Sequence, residues 1–179
     1  KVVLVIGRKV PRWPECHIPD WAKHLDELSQ QERVLKLLSE TVKRYLHVPV
    51  LTAWQVENEP FLGYGQCPPL DTSFLDKEIA TVRTIDAQRP ILVTDSGELS
   101  VWLGPASRAD IFGTTMYRII WSKYFGYVRY SFLTPRFFWF KANLVRLLFP
   151  DKPIIVSELQ AEPWGPGPVQ NLLLQEQFK

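Results

Sequence analysis

The sequence is short of several things, and each shortage removes a class of protein. It has two cysteines in 179 residues, Cys16 and Cys67. Two are too few for a disulfide-built scaffold, and they lack the paired spacing of a zinc site. One bridge between them is conceivable, but two unrelated thiols are the preferred reading. Nine glycines with no repeat exclude collagen-like and low-complexity chains. No G-x-G-x-x-G or Walker turn follows any predicted strand, so no phosphate cradle is expected. No uninterrupted run of about 20 apolar residues occurs, so no spanning helix is expected. The apolar start, Lys1 to Ile6, breaks at Gly7-Arg8-Lys9 and is too short for a secretory signal core. Bases and acids nearly cancel, 21 against 19, for a net charge of +2. No global field therefore points to nucleic acid. No cofactor or metal is expected.

Apolar residues make up 46% of the chain, enough for a packed core, and aromatics 13%, with seven tryptophans. Such aromatics fit either an ordinary core or a sugar-stacking surface. The chain opens without methionine, inside what reads as a strand. We expect a piece of a longer protein; its location is left open, with a secreted, periplasmic or membrane-anchored parent among the alternatives.

Val2 to Ile6 has the continuous apolar character of a strand buried on both faces. Leu25 to Leu46 carries an apolar stripe near the 3.6 period and reads as a long helix. Strands follow at Val50 to Val56, Pro90 to Thr94, Asp110 to Tyr117 and Pro153 to Ser157. Between them lie helices at Phe74 to Ile85, capped by Asp71, Thr72 or Ser73, and near Ser100 to Ala106. Ser122 to Phe149 reads as helical with an interruption at Pro135, and Pro168 to Phe178 as a last helix. Strict β/α alternation implies a parallel sheet with helices outside. Polar residues gather at strand C-terminal ends: Arg8, Asn58, Glu59, Asp95, Tyr117 and Glu158. That habit belongs to the (β/α)8 TIM-type barrel, which needs about 250 residues. The expected fold is therefore an incomplete barrel of five β/α units in a single domain over residues 1–179. Its open edges predict homodimerisation.

Two strand ends carry the chemistry. Trp54-Gln-Val-Glu-Asn-Glu-Pro60 places Glu59 at a strand exit stiffened by proline. Ile154-Ile-Val-Ser-Glu158 places a second carboxylate at the last predicted strand. Three strands apart in a barrel mouth, two carboxyls can approach to about 5 Å, the spacing for retaining glycoside hydrolysis. Glu162 is a rival for the second position. Glu57 shares Glu59's side by the period of two and sits one layer deeper unless a bulge intervenes. A buried acid there needs a partner, and Arg8 or Lys9 is at hand.

These motifs resemble those of retaining glycoside hydrolases built on (β/α)8 barrels, closest to the cellulase-like or β-galactosidase-like branches. In that clan the acid/base follows strand four and the nucleophile strand seven. The match covers only the family's strands three to seven, so its strand-two arginine and strand-eight tryptophan have no counterpart. The resemblance implies Glu59 as acid/base, Glu158 as nucleophile, Asn58 as a hydrogen-bond partner of the sugar 2-hydroxyl and Tyr117 as the group orienting Glu158. Substrate-binding candidates at the same mouth are Trp13, Trp164, Arg8 and His17. For the tryptophans core packing is the alternative, and for His17 a polar surface role. The implied ligand is a carbohydrate. The competing reading is a non-catalytic carbohydrate-binding or membrane-peripheral protein made from a degraded barrel.

One stretch stands apart. Residues 111–150 hold six bases and no acid among many aromatics, while the remainder holds fifteen bases against nineteen acids. That composition suits weak contact with a membrane surface. The alternative is a helical excursion on the barrel wall whose Lys and Arg snorkel outward.

Overall fold

The computed structural model describes residues 1–12, 15–63, 66–67, 70–122, 124–130 and 133–160. Five parallel strands form one curled sheet, a half-barrel: β1 (Val2–Ile6), β2 (Leu51–Val56), β3 (Ile91–Asp95), β4 (Ile111–Met116) and β7 (Ile154–Leu159). Their spatial order is their chain order, β1-β2-β3-β4-β7, with every pairing parallel. The winding never reverses, so there is no switch point of the doubly wound kind. A closed barrel is not formed by the described residues. β1 and β7 stand at the two edges, with Val2, Val3, Ile155 and Val156 exposed.

The helices begin where the sequence provides caps. Asp26 caps α1 (Glu27–Tyr45), its carboxylate accepting from Ser29 N at 2.9 Å, and Asp71 caps α2 (Thr72–Ile85) by accepting from Ser73 N at 3.3 Å. α2 drives Phe74, Leu75, Ile79 and Val82 into a core shared with Leu38 and Val42 of α1 and Trp54 and Val93 of the sheet. Each such side chain contributes about 1.5–3 kcal/mol by burial. A second core joins α3 (Leu103–Arg108) and α4 (Pro135–Leu148) to the sheet through Trp102, Phe112, Phe138 and Val145.

The structure corrects two expectations. The stretch read as a helix from Ser122 is first a two-stranded antiparallel hairpin, β5 (Ile119–Ser122) with β6 (Gly126–Arg129). β-Branched and aromatic residues favour strands there, and Gly126 supplies a left-handed step at φ +66. Pro135 does not interrupt a helix but begins one, where its missing N–H costs nothing. Cys16 and Cys67, read as unrelated thiols, are paired in a disulfide with Cα atoms 5.3 Å apart. The bridge ties the loop after β1 to the loop after β2. The proximity is tertiary, which a sequence separation of 51 conceals. Trp13, Glu162, Trp164 and the helix expected over 168–178 lie outside the described residues.

Candidate active site

Strand β2 ends at Val56, and the chain then takes left-handed steps at Glu57 (φ 59) and Glu59 (φ 43). Side chains crowd the backbone in that region, and strained residues of this kind collect at functional sites. The steps also end strict alternation. Glu57 and Glu59, expected on one side by the period of two, instead reach apart: Glu57 toward β1 and Glu59 toward β4.

Glu57 is fully buried. Its two oxygens accept from the backbone N–H groups of Arg8 and Lys9, both at 2.6 Å. Gly7 permits this approach, since a Cβ there would collide with the Glu57 carboxylate. The expected partners are present, then, but through main chain rather than side chain. Glu78 of α2, also fully buried, lies against Glu57. Burial pushes both carboxyls upward, and Glu57's charge pushes Glu78 further. As two carboxylates they would leave both Glu78 oxygens without a donor. A proton held on Glu78 and shared with Glu57 removes that conflict.

Glu59 is 7% exposed. Thr115 Oγ1 donates to its Oε1 at 2.8 Å, and its own N–H donates to Thr94 Oγ1 at 2.9 Å. Burial raises its pKa to about 7, with the charges of Glu158 and Glu98 adding to the rise against the Thr115 hydrogen bond and Lys9. Asn58, buried beside it, has its Oδ1 held by Gln55 Nε2 and Thr94 Oγ1, each at 3.1 Å. On β7, Glu158 Oε2 accepts from Tyr117 Oη at 2.9 Å, while its buried Oε1 has no hydrogen-bond partner among the described residues. Glu15, Glu59 and Glu98 all sense the Glu158 charge, so these four carboxyls form one electrostatically linked acidic region at the strand ends.

Two lysines frame this acidic region. Lys9 Nζ donates to the carbonyls of Glu59 (2.9 Å) and Leu62 (2.8 Å) and lies 3.6 Å from Glu15. It therefore fixes the turn carrying Glu59. Lys141 of α4 donates to Gly97 O at 2.5 Å over the face of Trp102. Burial lowers its pKa to about 8, opposed by Asp95 and Glu98. Gly97 is obligatory for space, because a Cβ there would strike Thr115 O. Among the described residues no group of His, Cys, Asp and Glu side chains is placed to hold a metal ion.

Not every candidate reaches this region. The Arg8 guanidinium turns to α1, 3.1 Å from Glu27, and reaches Gln30 at 3.4 Å. His17 is exposed, bonds Arg12 O at 3.1 Å and lines with Arg8 and Trp21 a groove along α1. Trp102 is core. Sequence reasoning overlooked Thr94, Thr115, Glu15, Glu98 and Lys141. Threonines at the ends of β3 and β4 were the available signal. The other three sit on loops and a helix with no motif around them.

No protein-family model matches this sequence, and neither does any curated protein. Solved structures do resemble it. The β-D-glucuronidase of Dictyoglomus thermophilum superposes with a TM-score of 0.59 at 17% identity, over 97% of this chain and 29% of that one. The β-glucuronidase of Bacteroides uniformis gives 0.60 at 17%, over 90% and 20%. The β-galactosidase of the psychrophilic Marinomonas ef1 gives 0.57 at 14%, over 85% and 36%. A GH2 β-galacturonidase from Eisenbergiella tayi gives 0.58 at 12%, over 82% and 26%. At these identities the likeness is one of fold: a half-barrel of parallel strands like part of these glycoside hydrolases. The chain spans between a fifth and about a third of their lengths. The likeness runs to GH2 enzymes and lends nothing to a cellulase-like branch.

Proposed function

We propose that this half-barrel carries the catalytic carboxyls of a retaining glycoside hydrolase acting on oligo- or polysaccharides. The observation that carries the reading is the unequal pair at the mouth. Glu59 is held near pKa 7 by burial, and Glu158 is bonded by Tyr117 with its other oxygen unpartnered among the described residues. Glu59 keeps a proton at neutral pH and delivers it to the departing glycosidic oxygen. Glu158, ionised, attacks the anomeric carbon through Oε1 while Tyr117 holds Oε2. In the second step Glu59 takes a proton from water, which hydrolyses the glycosyl ester. Asn58, locked from behind by Gln55 and Thr94, offers its amide to the sugar. This assignment requires carboxyls about 5–5.5 Å apart.

The test is mass spectrometry after exposure to activated 2-deoxy-2-fluoroglycosides, alongside turnover of aryl glycosides. A covalent adduct on Glu158 supports the reading, and an adduct elsewhere or turnover undiminished in Glu158→Gln defeats it. The open edges at β1 and β7 favour a second reading, binding of carbohydrate without turnover. Sugar affinity with neither adduct nor turnover would establish it. Self-association through those edges is the expected way for the chain to cover them, read from sedimentation velocity.

A further inference from the structure

α4 is apolar on two sides. Its inner side, Phe138, Ala142 and Val145, packs in the second core. Its outer side repeats at helical spacing as Arg136, Trp139, Phe140, Asn143, Arg146 and Leu147. Trp139 is 66% exposed, Phe140 65% and Leu147 75%. The other long helices differ. α1 also exposes Leu28, Leu37 and Tyr45, but among Glu32, Arg33, Lys36, Glu40 and Lys43, and α2 turns out Asp76 and Lys77, so both faces carry charges of both signs. α4 has no acid, nor has any residue from 111 to 150. Among the described residues no ion pair involves Arg136 or Arg146. The same acid-free stretch exposes Tyr124 and Phe125 at the hairpin turn.

We propose that the outer face of α4 docks on an anionic lipid surface, lying flat with Trp139, Phe140 and Leu147 in the headgroup boundary and Arg136 and Arg146 on lipid phosphates. The chemistry favours lipid over protein. Arginine can keep its charge at the phosphates while its stem lies along apolar surface, and an indole is suited to the wet–apolar boundary. A stretch of forty residues free of carboxylates meets no repulsion from a negative bilayer. The described helices include none long and apolar enough to cross a membrane, so the contact is peripheral. The inference does not depend on turnover at the mouth.

The experiment is co-sedimentation of the full chain with vesicles of phosphatidylcholine alone or mixed equally with phosphatidylserine. Binding is expected only with phosphatidylserine and should decline as salt rises from about 0.05 to 0.5 M, as the screening length shrinks. Arg136→Gln with Arg146→Gln should weaken partitioning roughly thirtyfold, about fivefold per surface cation. Lys36→Gln with Lys43→Gln removes equal charge from α1 and should change it less than about twofold. Trp139→Ser, at an exposed position, should also weaken it. Equal binding to both vesicle types, no binding to either, or equal losses from the α1 and α4 pairs would overturn the proposal. So would self-association abolished by Trp139→Ser without vesicle binding, which would make the face an interface between copies.

Discussion

Glu57 and Glu59 stand two residues apart, both buried and both raised by burial, yet their surroundings are opposite. Glu57 is closed: two backbone donors and a protonated neighbour occupy its oxygens. Glu59 is open: one threonine hydroxyl touches one oxygen, and the groups that raise it further are the charges of Glu158 and Glu98 across the mouth. Burial alone therefore does not mark a chemical group. An incomplete shell facing a second carboxylate does, because there a proton can leave for a substrate rather than remain in a fixed bond.

The comparison breaks most visibly in turnover. Glu59→Gln should lower kcat/KM on aryl glycosides with poor leaving groups by about 10²–10⁴-fold. Glu57→Gln should cost under about tenfold, provided the fold survives. Initial rates across a leaving-group series read both, and equal losses from the two variants would erase the distinction. Stability should report the reverse preference. Glu57→Ala strands the N–H groups of Arg8 and Lys9 and the proton of Glu78, at roughly 3–5 kcal/mol. Urea unfolding monitored by tryptophan fluorescence measures it, and a cost below about 1 kcal/mol would show that the closed shell is not structural.

The strands were legible because each writes a continuous apolar run, but the burial on both faces expected of Val2 to Ile6 holds for the inner strand Ile91–Asp95 and not for the edge strands, where Val2, Val3, Ile155 and Val156 are exposed. The apolar stripe near the 3.6 period announced α1, and the cap candidates Asp71, Thr72 and Ser73 announced α2; the Asp26 cap of α1 was not read. The segment from Ile119 to Phe149 misled because aromatics and bases occur with equal ease on a hairpin and on a helix. There the turn depended on one glycine, Gly126. At the site, the strand-end glutamates and Tyr117 were readable from position. The inward threonines, Glu98 and the disulfide were not, since each depends on which loops the sheet curvature brings together. The left-handed steps at Glu57 and Glu59 were hidden for a related reason. No residue type announces strain at a non-glycine position.

A pH series sharpens the comparison. Glu59 titrates near 7 in the folded chain against an ordinary 4.5. A raised carboxyl favours the fold while it holds its proton. Its contribution is whole below pH 4.5 and is lost as pH climbs through 7. Glu59→Gln, which never ionises, should therefore gain stability over the parent between those values, by about 3 kcal/mol at most above pH 8 and by nothing below 4.5. Thermal melts at pH 4.5 and 8 read the difference, and a gain that is equal at both values would mean that Glu59 is not raised.

The smallest expected effect concerns Glu98. Its charge helps hold the Glu59 proton, but burial is the larger cause and Glu158 the larger of the two charges. Glu98→Gln removes one like charge without emptying the space. The Glu59 titration should move down by less than about one unit, and the alkaline limb of the rate profile should move with it, because Glu59 works only while protonated. A rate at the optimum unchanged within about threefold would place Glu98 outside the bond-breaking steps. An alkaline limb that stays fixed while the optimum rate collapses would instead make Glu98 a group that touches the sugar. The open carboxyl at the mouth would then owe its pKa to burial and Glu158 alone.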